Sequence, residues 1–314
     1  MPGENALKLK GRDLLSLHEL TPGEVAAVLE LAGELKERPQ SNRFHRCLEG
    51  KTLGLIFEKS STRTRVSFEV AMYQLGGYPL YMNTKDLQLK RGESIADTAR
   101  VLSRFLDGIM IRTYAQTDVE ELARYADVPV INGLSDLLHP CQVLADLQTV
   151  QERKGRLAGL KLAYVGDGNN VCHSLMFGCA KTGLDISVAA PDGYRPEDKM
   201  VRLAREDAEL TGTKVEIFTD PAEAVSGADV VVTDVWTSMG QEEKRAERLK
   251  VFAPYQVNKG LVAFAKPDFI FLHCLPAHRG EEVTAEIIDG PHSAVWDEAE
   301  NRLHAQKAVL ALLL

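Results

Sequence analysis

The sequence predicts an α/β protein of two doubly wound, Rossmann-like domains, each with a parallel sheet covered by helices on both faces. Short apolar runs typical of buried strands alternate with helical patterns, and the alternation restarts after a charged, glycine-bearing segment at 152–159. The length of 314 residues also exceeds the usual size of one domain. Because such sheets bind ligands at the carboxyl ends of their strands, we expect an active site in the interdomain cleft.

The first domain is expected to cover residues 1–150 together with a closing helix at 298–314. Its first helix begins at the capping box Thr21-Pro22-Gly23-Glu24. A buried strand at 52–57 leads to a helix whose predicted apolar face is Val66, Val70, Met72 and Leu75. Later strands are predicted at 78–82, 108–111 and 128–132, with helices starting near 94, 117 and 140.

The second domain, residues 151–297, is expected to repeat this alternation. Its strands are predicted at 161–165, 186–190, 214–218, 230–233 and 269–273, and its helices begin near 170, 196, 220 and 240. Strands separated in this way by helices are typical of a parallel sheet.

Composition excludes several classes of protein. A net charge of −8 argues against a general nucleic-acid binder, and no apolar run reaches the ~18 residues of a membrane span. The polar, acidic N-terminus lacks a secretory signal. The 5 cysteines are widely spaced and contain no CxxC pair, which favours a reducing cytoplasm over a disulfide framework. We expect no cofactor and no resident metal.

The stretch Ser61-Thr62-Arg63-Thr64-Arg65 stands between the first buried strand and the helix that follows it. Free N–H groups of a helix start, hydroxyls and guanidinium groups would converge there on one point, which suits a phosphate. A capped helix start with a solvated basic edge, or a kinase target sequence, explains the same stretch about equally well.

Two further strand ends in the first domain carry polar groups. Arg112 follows the strand at 108–111 and provides a charged fork suited to an oxyanion, although a surface ion pair is the simpler reading. His139 and Gln142 flank Pro140 at a helix start, where an imidazole and an amide could polarise a carbonyl and bind an NH₂ group. A capping histidine with an exposed glutamine is the alternative.

In the second domain, the loop at 166–171 resembles the dinucleotide fingerprint GxGxxG but has Val171 at the third glycine. Asp192 follows the next strand, where a dehydrogenase would have the acid that binds the ribose. An NAD-dependent dehydrogenase therefore remains an alternative. The asparagines of this loop suit a carboxylate ligand better.

Two other strand ends complete the pattern. The segment 234–240 offers a carboxylate, a hydroxyl and helix-start N–H groups, which together suit an amino acid. In the segment 273–279, His273, Cys274 and His278 are possible zinc ligands, but no second cluster of histidines or cysteines completes a tetrahedral set. Nothing nearby in sequence marks Cys274 as a nucleophile.

Taken together, these motifs resemble the ornithine carbamoyltransferases of the aspartate/ornithine carbamoyltransferase superfamily. The resemblance rests on segments 57–65, 138–142, 234–240, 273–276 and 301–304, in the family's order and over nearly the whole chain. The Ser-Thr-Arg-Thr-Arg stretch is shared with aspartate carbamoyltransferases, whereas Asp234 with Ser238-Met239-Gly240, and His273-Cys274-Leu275-Pro276, point to ornithine.

The resemblance implies a role for each matching residue. The residues implied to bind carbamoyl phosphate are Ser61, Thr62, Arg63, Thr64, Gln88, Arg112, His139, Gln142, Cys274, Leu275 and Arg302. Those implied to act in catalysis are Arg63, Arg112, His139 and Cys274, and those implied to bind ornithine are Asn170, Asp234, Ser238 and Met239. Gln88 would act from a neighbouring subunit, since the family forms homotrimers or multiples of trimers.

The implied reaction is carbamoyl transfer from carbamoyl phosphate to the δ-amine of L-ornithine, giving L-citrulline and phosphate, as in arginine biosynthesis. Putrescine, N-acetylornithine and aspartate remain alternative acceptors. A phosphate sensor without turnover is a further, non-catalytic alternative.

Overall fold

The structure, a computed structural model, describes residues 8–37, 46–237, 243 and 245–314, without the side chains of Lys90 and Arg91. The chain divides into two compact units, one of residues 1–145 and 301–314 and one of residues 146–300. Each unit contains a parallel sheet with helices, so the predicted fold class is confirmed. Among the described residues, no helix combines the length and apolar character needed to cross a bilayer.

The described part of unit 1 is built on four parallel strands in the order β2-β1-β3-β4. Its elements are α1 (Pro22–Glu37), β1 (Thr52–Phe57), α2 (Thr62–Gln74), β2 (Tyr78–Asn83), α3 (Ile95–Leu102), β3 (Gly108–Arg112), α4 (Gln116–Tyr125), β4 (Val130–Leu134) and the start of α5 (Pro140–Lys154). The predicted capping box is present, because the Glu24 carboxylate accepts from Thr21 N–H at 2.8 Å and Thr21 Oγ1 accepts from Glu24 N–H at 3.3 Å.

The sheet order positions the functional loops of unit 1. β1 is central, and the chain leaves it first towards β2 and later towards β3, so the loops after β1 and β3 diverge at their carboxyl ends. A topological switch of this kind is where doubly wound sheets bind ligands. The loop with Ser61 and the end of β3 with Arg112 both lie at this switch.

The predicted apolar face of α2 is partly wrong. Val66 is 51% exposed, whereas the buried residues of this helix include Phe68, Ala71 and Met72. Phe68 and Met72 lie one turn apart, and Thr64 continues the same stripe, so a polar residue takes the first position of the buried face. Val66 therefore faces outward with the exposed Tyr73.

The described part of unit 2 is built on five parallel strands in the order β7-β6-β5-β8-β9. Its elements are the end of α5, β5 (Lys161–Val165), α6 (Asn170–Thr182), β6 (Asp185–Ala189), α7 (Asp198–Ala208), β7 (Val215–Phe218), α8 (Pro221–Val225), β8 (Val230–Val232), α9 (Arg245–Phe252), α10 (Lys259–Val262), β9 (Ile270–Leu272), α11 (Ala285–Ile288) and the start of α12 (Val295–Leu313).

β5 and β8 form the switch point of the second sheet. β8 ends at Val232 and β9 ends at Leu272, each one residue earlier than predicted. His273 therefore lies in the loop beyond β9 rather than within the strand, and Asp234 lies in the loop beyond β8, as predicted. A hydrogen bond of 2.6 Å from Thr233 Oγ1 to the Val165 carbonyl joins the ends of β8 and β5.

Candidate active site

The loops after β1 and β3 of unit 1 are joined by backbone and side-chain hydrogen bonds. Phe57 pairs in register with Arg112, whose carbonyl accepts from Glu58 N–H at 2.8 Å. Next to it, Thr113 Oγ1 donates to the Glu58 carboxylate at 2.6 Å. These bonds fix the position of the Arg112 backbone, from which its buried side chain extends, relative to the start of α2.

The start of α2 has the geometry expected of an anion site. Ser61 is its N-cap, and its hydroxyl accepts from Thr64 N–H at 3.2 Å. The first turn carries no acidic residue, so the positive end of the helix dipole is not neutralised locally. Thr62 is exposed and Arg63 is half-buried in this turn.

Arg65 does not share the environment of Arg63. Its Nε donates to the Glu69 carboxylate at 3.0 Å, and its guanidinium lies 3.7 Å from the centre of the Tyr81 ring. Of these two arginines, Arg63 is the one whose charge acts on His139.

Arg302, from the C-terminal helix, holds two of the predicted site residues. Its Nη2 donates to Thr64 Oγ1 at 2.8 Å, and its Nη1 donates to Gln142 Oε1 at 3.1 Å. All three side chains are buried, which makes the fork a fixed part of unit 1. Such a planar fork holds two acceptors at once.

His139 is a buried imidazole surrounded by positive charge. Burial lowers its pKa well below 6.5, and the guanidinium groups of Arg302, Arg112 and Arg63 lower the pKa further. The imidazole is therefore neutral near pH 7 and can donate a single hydrogen bond without carrying charge. We call Arg63, Arg112, His139 and Arg302 the cationic cluster. Three guanidinium groups around a neutral donor favour a multiply charged anion.

The loop that carries His139 is tied to the loop after β1. The buried Lys59 ammonium pairs with the Asp136 carboxylate and lies 4.5 Å from the centre of the Tyr114 ring. Asp136 N–H also donates to the Tyr114 carbonyl at 2.8 Å. Lys59 and Asp136 follow the ends of β1 and β4, but they were not predicted as supports, because nothing local in sequence pairs two residues 77 positions apart.

Gln88 is an exposed residue of the segment that follows β2. It begins a short 3-10 helix, Gln88–Arg91. Among the described residues, no hydrogen bond joins its side chain to the cluster. Its predicted contribution to ligand binding is therefore not tested by this chain alone.

Asp234 is the hub of the polar groups in unit 2. Its Oδ2 accepts from Asn169 Nδ2 at 2.7 Å, and its Oδ1 accepts from Cys274 Sγ at 3.1 Å and from Val235 N–H at 2.8 Å. Asp234 is 6% exposed. Asp234 and Cys274, which the sequence places after two different strands, are therefore in direct contact.

Asn169 is the residue that the sequence reading missed in this loop. As N-cap of α6, its Oδ1 accepts from Val171 and Cys172 N–H, which leaves Nδ2 to reach Asp234. The adjacent Asn170, which was predicted, turns its Oδ1 to Val171 N–H at 2.9 Å. The cap position of Asn169 was the signal that could have identified it.

A buried ion pair supports the same loop. Arg248 donates to the Asp167 carboxylate and to the Trp236 carbonyl, and its guanidinium lies 4.7 Å from the centre of the Tyr194 ring. Burial raises the pKa of Asp167 to about 6; Arg248 opposes this shift and Asp234 adds to it. Neither member of the pair was predicted as a site residue.

The segment after β9 is held in an unusual backbone conformation. Leu275 has a positive φ of 57° and precedes a cis proline. His273 Nδ1 accepts from Leu275 N–H at 2.9 Å, so its proton is on Nε2, which donates to Glu282 at 3.2 Å. These bonds orient the carbonyl groups of Cys274 and Leu275.

Cys274 is a neutral thiol. Burial raises its pKa well above 9, and the neighbouring Asp234 carboxylate raises it further. A thiol in this state donates to Asp234 and is a poor nucleophile. This agrees with the absence of a nucleophilic signature in the sequence.

Asp234, His273 and Cys274 could also be considered as metal ligands, since their ligand atoms lie within 4.8 Å of one another. Both ring nitrogens of His273 are already engaged, by Leu275 N–H and by Glu282. A metal bound there would have to break one of these bonds and displace the thiol proton. Ser238 and Met239, predicted to bind the acceptor, lie outside the described residues.

Comparison with known families identifies both halves of the chain. The model described as "Aspartate/ornithine carbamoyltransferase, carbamoyl-P binding domain" matches residues 12–152. The model described as "Aspartate/ornithine carbamoyltransferase, Asp/Orn binding domain" matches residues 158–313.

Individual relatives match over nearly the whole chain. An ornithine carbamoyltransferase of Carboxydothermus hydrogenoformans is 66% identical, over 97% of this chain and 98% of that protein. A protein of Pyrococcus furiosus named "Ornithine carbamoyltransferase, anabolic" is 60% identical over 98% of each chain. The solved structure of the ornithine carbamoyltransferase from Pyrococcus furiosus superposes with a TM-score of 0.93, covering 97% of each chain at 60% identity.

Proposed function

The chain belongs to the aspartate/ornithine carbamoyltransferase family, and we propose that it transfers the carbamoyl group of carbamoyl phosphate to the δ-amine of L-ornithine. The products are L-citrulline and phosphate. We assign carbamoyl-phosphate binding to residues 1–150 with 298–314, and ornithine binding to residues 151–297. The observation that carries the proposal is the cationic cluster, in which three arginines surround a neutral His139.

The cationic cluster suits carbamoyl phosphate because this ligand combines a phosphate dianion with a neutral amide-like group. We assign the phosphate to the start of α2, with Ser61, Thr62, Arg63, Thr64 and Arg112 as its donors. The carbamoyl carbonyl is assigned to His139, Arg112 and Thr64. The carbamoyl NH₂ group is assigned to Gln142 and to the carbonyl groups of Cys274 and Leu275, and Arg302 completes the site.

The acceptor site is assigned to the hub around Asp234. Its carboxylate suits the α-ammonium group of ornithine, while the amide of Asn170 suits the α-carboxylate. Ser238 and Met239 are proposed to complete this site. Asn169, through its bond to Asp234, would hold the carboxylate in place rather than contact the substrate.

The chemistry uses orientation and electrostatics. An alkyl amine with a pKa of about 10.4 is only on the order of 0.1% neutral near pH 7, so the enzyme must select or generate the free amine. The amine attacks the carbamoyl carbon, and Arg112, His139 and Thr64 stabilise the oxyanion that forms. The C–O bond to phosphate then breaks, the phosphate leaves as the anion bound at α2, and the phosphate itself can accept the amine proton. No covalent enzyme intermediate is required.

We further propose a cytoplasmic homotrimer, or a multiple of trimers, that acts in arginine biosynthesis. The relative named anabolic supports this direction of the pathway. Exposed apolar side chains on unit 1 support self-association, among them Val66 at 51%, Tyr73 at 75% and Tyr78 at 63% exposure. Gln88 would then reach the site of a neighbouring subunit. Light scattering of the purified protein tests the assembly: a monomer of 34.6 kDa would contradict it.

A comparison of acceptors tests the proposed reaction. Carbamoyl phosphate is supplied with L-ornithine, putrescine, N-acetylornithine or L-aspartate, and the ureido product and phosphate are both measured. We expect product with ornithine at a rate at least about 100-fold above the others, because Asp234 and Asn170 together require a free α-amino acid. N-acetylornithine lacks the α-ammonium group, putrescine lacks the α-carboxylate, and L-aspartate lacks the δ-amine. Faster turnover of another amine would change the acceptor, and NAD(P)H binding without ureido product would favour a dehydrogenase. Saturable binding of carbamoyl phosphate without turnover would indicate a sensor.

A further inference from the structure

The turn after the Cys274–Leu275 segment carries a second group of potential metal ligands, separate from the residues assigned to either substrate. One ligand atom each from His278, Glu281 and Glu282 lies within 4.8 Å of the others. The turn is closed by hydrogen bonds from Glu281 N–H to the His278 carbonyl at 2.9 Å and from Gly280 N–H to the Val283 carbonyl at 2.8 Å. The backbone therefore fixes the spacing of the three side chains.

Glu282 has one carboxylate oxygen that accepts no hydrogen bond from the described residues. Its side chain is 0% exposed, and its Oε1 accepts from His273 Nε2 and from His278 N–H. Its Oε2 is also buried and accepts no hydrogen bond from the described residues. A buried carboxylate oxygen without a donor is unusual, because desolvation of that oxygen is not compensated.

The unused oxygen points towards His278. Glu282 Oε2 lies 3.6 Å from His278 Nδ1, and the His278 side chain is 46% exposed, which leaves an approach from solvent. A tetrahedral ion with bonds of about 2.05 Å needs ligand atoms about 3.3 Å apart. The two atoms are thus close to the separation that one bound ion would impose.

The charge of the group also suits a cation. Burial raises the pKa of Glu282, but hydrogen bonds from His273 and from His278 N–H outweigh it and hold the pKa below its ordinary value. Glu282 is therefore anionic near neutrality. Glu281 pairs with Arg245 through one oxygen, and this ion pair is partly exposed. Replacing the ion pair by a bond from Glu281 to a metal ion therefore costs little free energy.

We propose that His278, Glu281 and Glu282 bind one divalent first-row transition-metal ion. One imidazole and two carboxylates are a ligand set for zinc, cobalt, manganese or iron in the divalent state, with water completing the coordination. This group differs from Asp234, His273 and Cys274, where both ring nitrogens of the histidine are engaged. His273 connects the site to the Leu275 backbone, since its Nε2 donates to Glu282 Oε1 and its Nδ1 accepts from Leu275 N–H. The proposal does not depend on the proposed reaction.

Titration of the full-length protein with Co²⁺ tests the site, by calorimetry and by the visible absorption of bound cobalt. We expect one Co²⁺ per protomer, with no charge-transfer band of a cobalt–thiolate bond. His278→Ala, a change at an exposed side chain, is expected to weaken binding about 100-fold or more, while Cys274→Ser leaves the affinity unchanged. Glu281→Gln provides a second variant that leaves the buried Glu282 intact, and it should weaken binding in the same direction.

Three outcomes would overturn the proposal. They are the absence of Co²⁺ binding at millimolar concentration, binding that survives His278→Ala at wild-type affinity, and binding that is lost in Cys274→Ser with a thiolate band in the wild type. The last would assign the metal to Asp234, His273 and Cys274 instead. Circular dichroism of each variant establishes that the fold is retained.

Discussion

Arg302 and Thr64 are separated by 238 positions in the chain and are joined by a hydrogen bond of 2.8 Å from Nη2 to Oγ1. The same guanidinium donates to Gln142 at 3.1 Å. A residue near the C-terminus therefore determines where two side chains of the proposed carbamoyl-phosphate site lie. An ammonium group cannot reproduce this two-pronged geometry.

Replacing Arg302 by lysine tests whether that geometry matters for catalysis. We expect Arg302→Lys to lower kcat about 100-fold, because charge is kept while the fork that places Thr64 and Gln142 is lost. Steady-state rates of citrulline formation at saturating ornithine give the measurement. Arg100→Lys is the matched control, since Arg100 is exposed, pairs with Asp97 of its own helix and lies over the Tyr125 ring, outside the cationic cluster. Wild-type kcat in Arg302→Lys would contradict the assigned role.

The pKa of His139 implies a defined pH dependence of stability. In the unfolded chain histidine takes up a proton near pH 6.5, whereas buried His139 stays neutral to lower pH. The unfolded state therefore binds more protons in this window, and the free energy of unfolding falls as the pH drops below about 6.5. We expect His139→Gln to reduce this fall between pH 6.5 and 4.5. Urea unfolding curves measure it, and an identical pH slope in the variant would show that His139 titrates normally.

The pair of Asp167 and Arg248 implies a pH dependence of acceptor binding. With a pKa raised to about 6, Asp167 gains a proton as the pH falls through 6, and its attraction to Arg248 is lost. Because Arg248 also holds the Trp236 carbonyl, the loop that begins at Asp234 loses support. We expect affinity for an ornithine analogue without the δ-amine to fall severalfold between pH 7 and 5.5.

The control for this prediction is Asp167→Asn, which cannot titrate. We expect it to bind the same analogue more weakly at pH 7 and to show no further loss down to pH 5.5. An analogue of this kind is used because protonation of the ornithine δ-amine would itself change with pH. A parallel fall in the wild type and in the variant would assign the titration to another group.

Cys274 is expected to act as a hydrogen-bond donor and not as a nucleophile. Its raised pKa predicts that Cys274→Ser, which keeps a donor towards Asp234, retains kcat within about tenfold of the wild type. Cys274→Ala removes the donor and should mainly raise KM for ornithine. Mass spectrometry of the protein during turnover should find no carbamoyl adduct on the thiol. Complete loss of activity in Cys274→Ser, with the fold intact, would indicate that the Cys274 thiol acts as a nucleophile.

Much of the fold and part of the site could be predicted from the sequence. Buried strands and capped helices are local patterns, so most elements of both sheets, and the polar residues that follow them, could be located. The short helices at Lys259–Val262 and Ala285–Ile288 were missed, because four residues are too few to show a helical period.

The remaining differences arise from tertiary contacts. The outward direction of Val66 depends on which face of α2 meets the sheet, and α2 offers apolar residues on both faces. The contact of Asn169 with Asp234 depends on Asn169 being the residue that caps α6, whereas the role of Asn170 in ornithine binding stays a prediction. The partners of Arg248 lie 81 and 12 positions away, and no local pattern indicates them.

The central claim is that the start of α2 binds the phosphate of carbamoyl phosphate during transfer to ornithine. The most direct test compares citrulline formation by the wild type, Arg63→Ala and Arg65→Ala with both substrates supplied. We expect the wild type to form citrulline and phosphate in equal amounts, and Arg63→Ala to lose about 100-fold or more in kcat/KM for carbamoyl phosphate. Arg65→Ala should stay within about threefold, because Arg65 contacts Glu69 and Tyr81. Near-wild-type activity in Arg63→Ala, or no citrulline from the wild type, would contradict the claim.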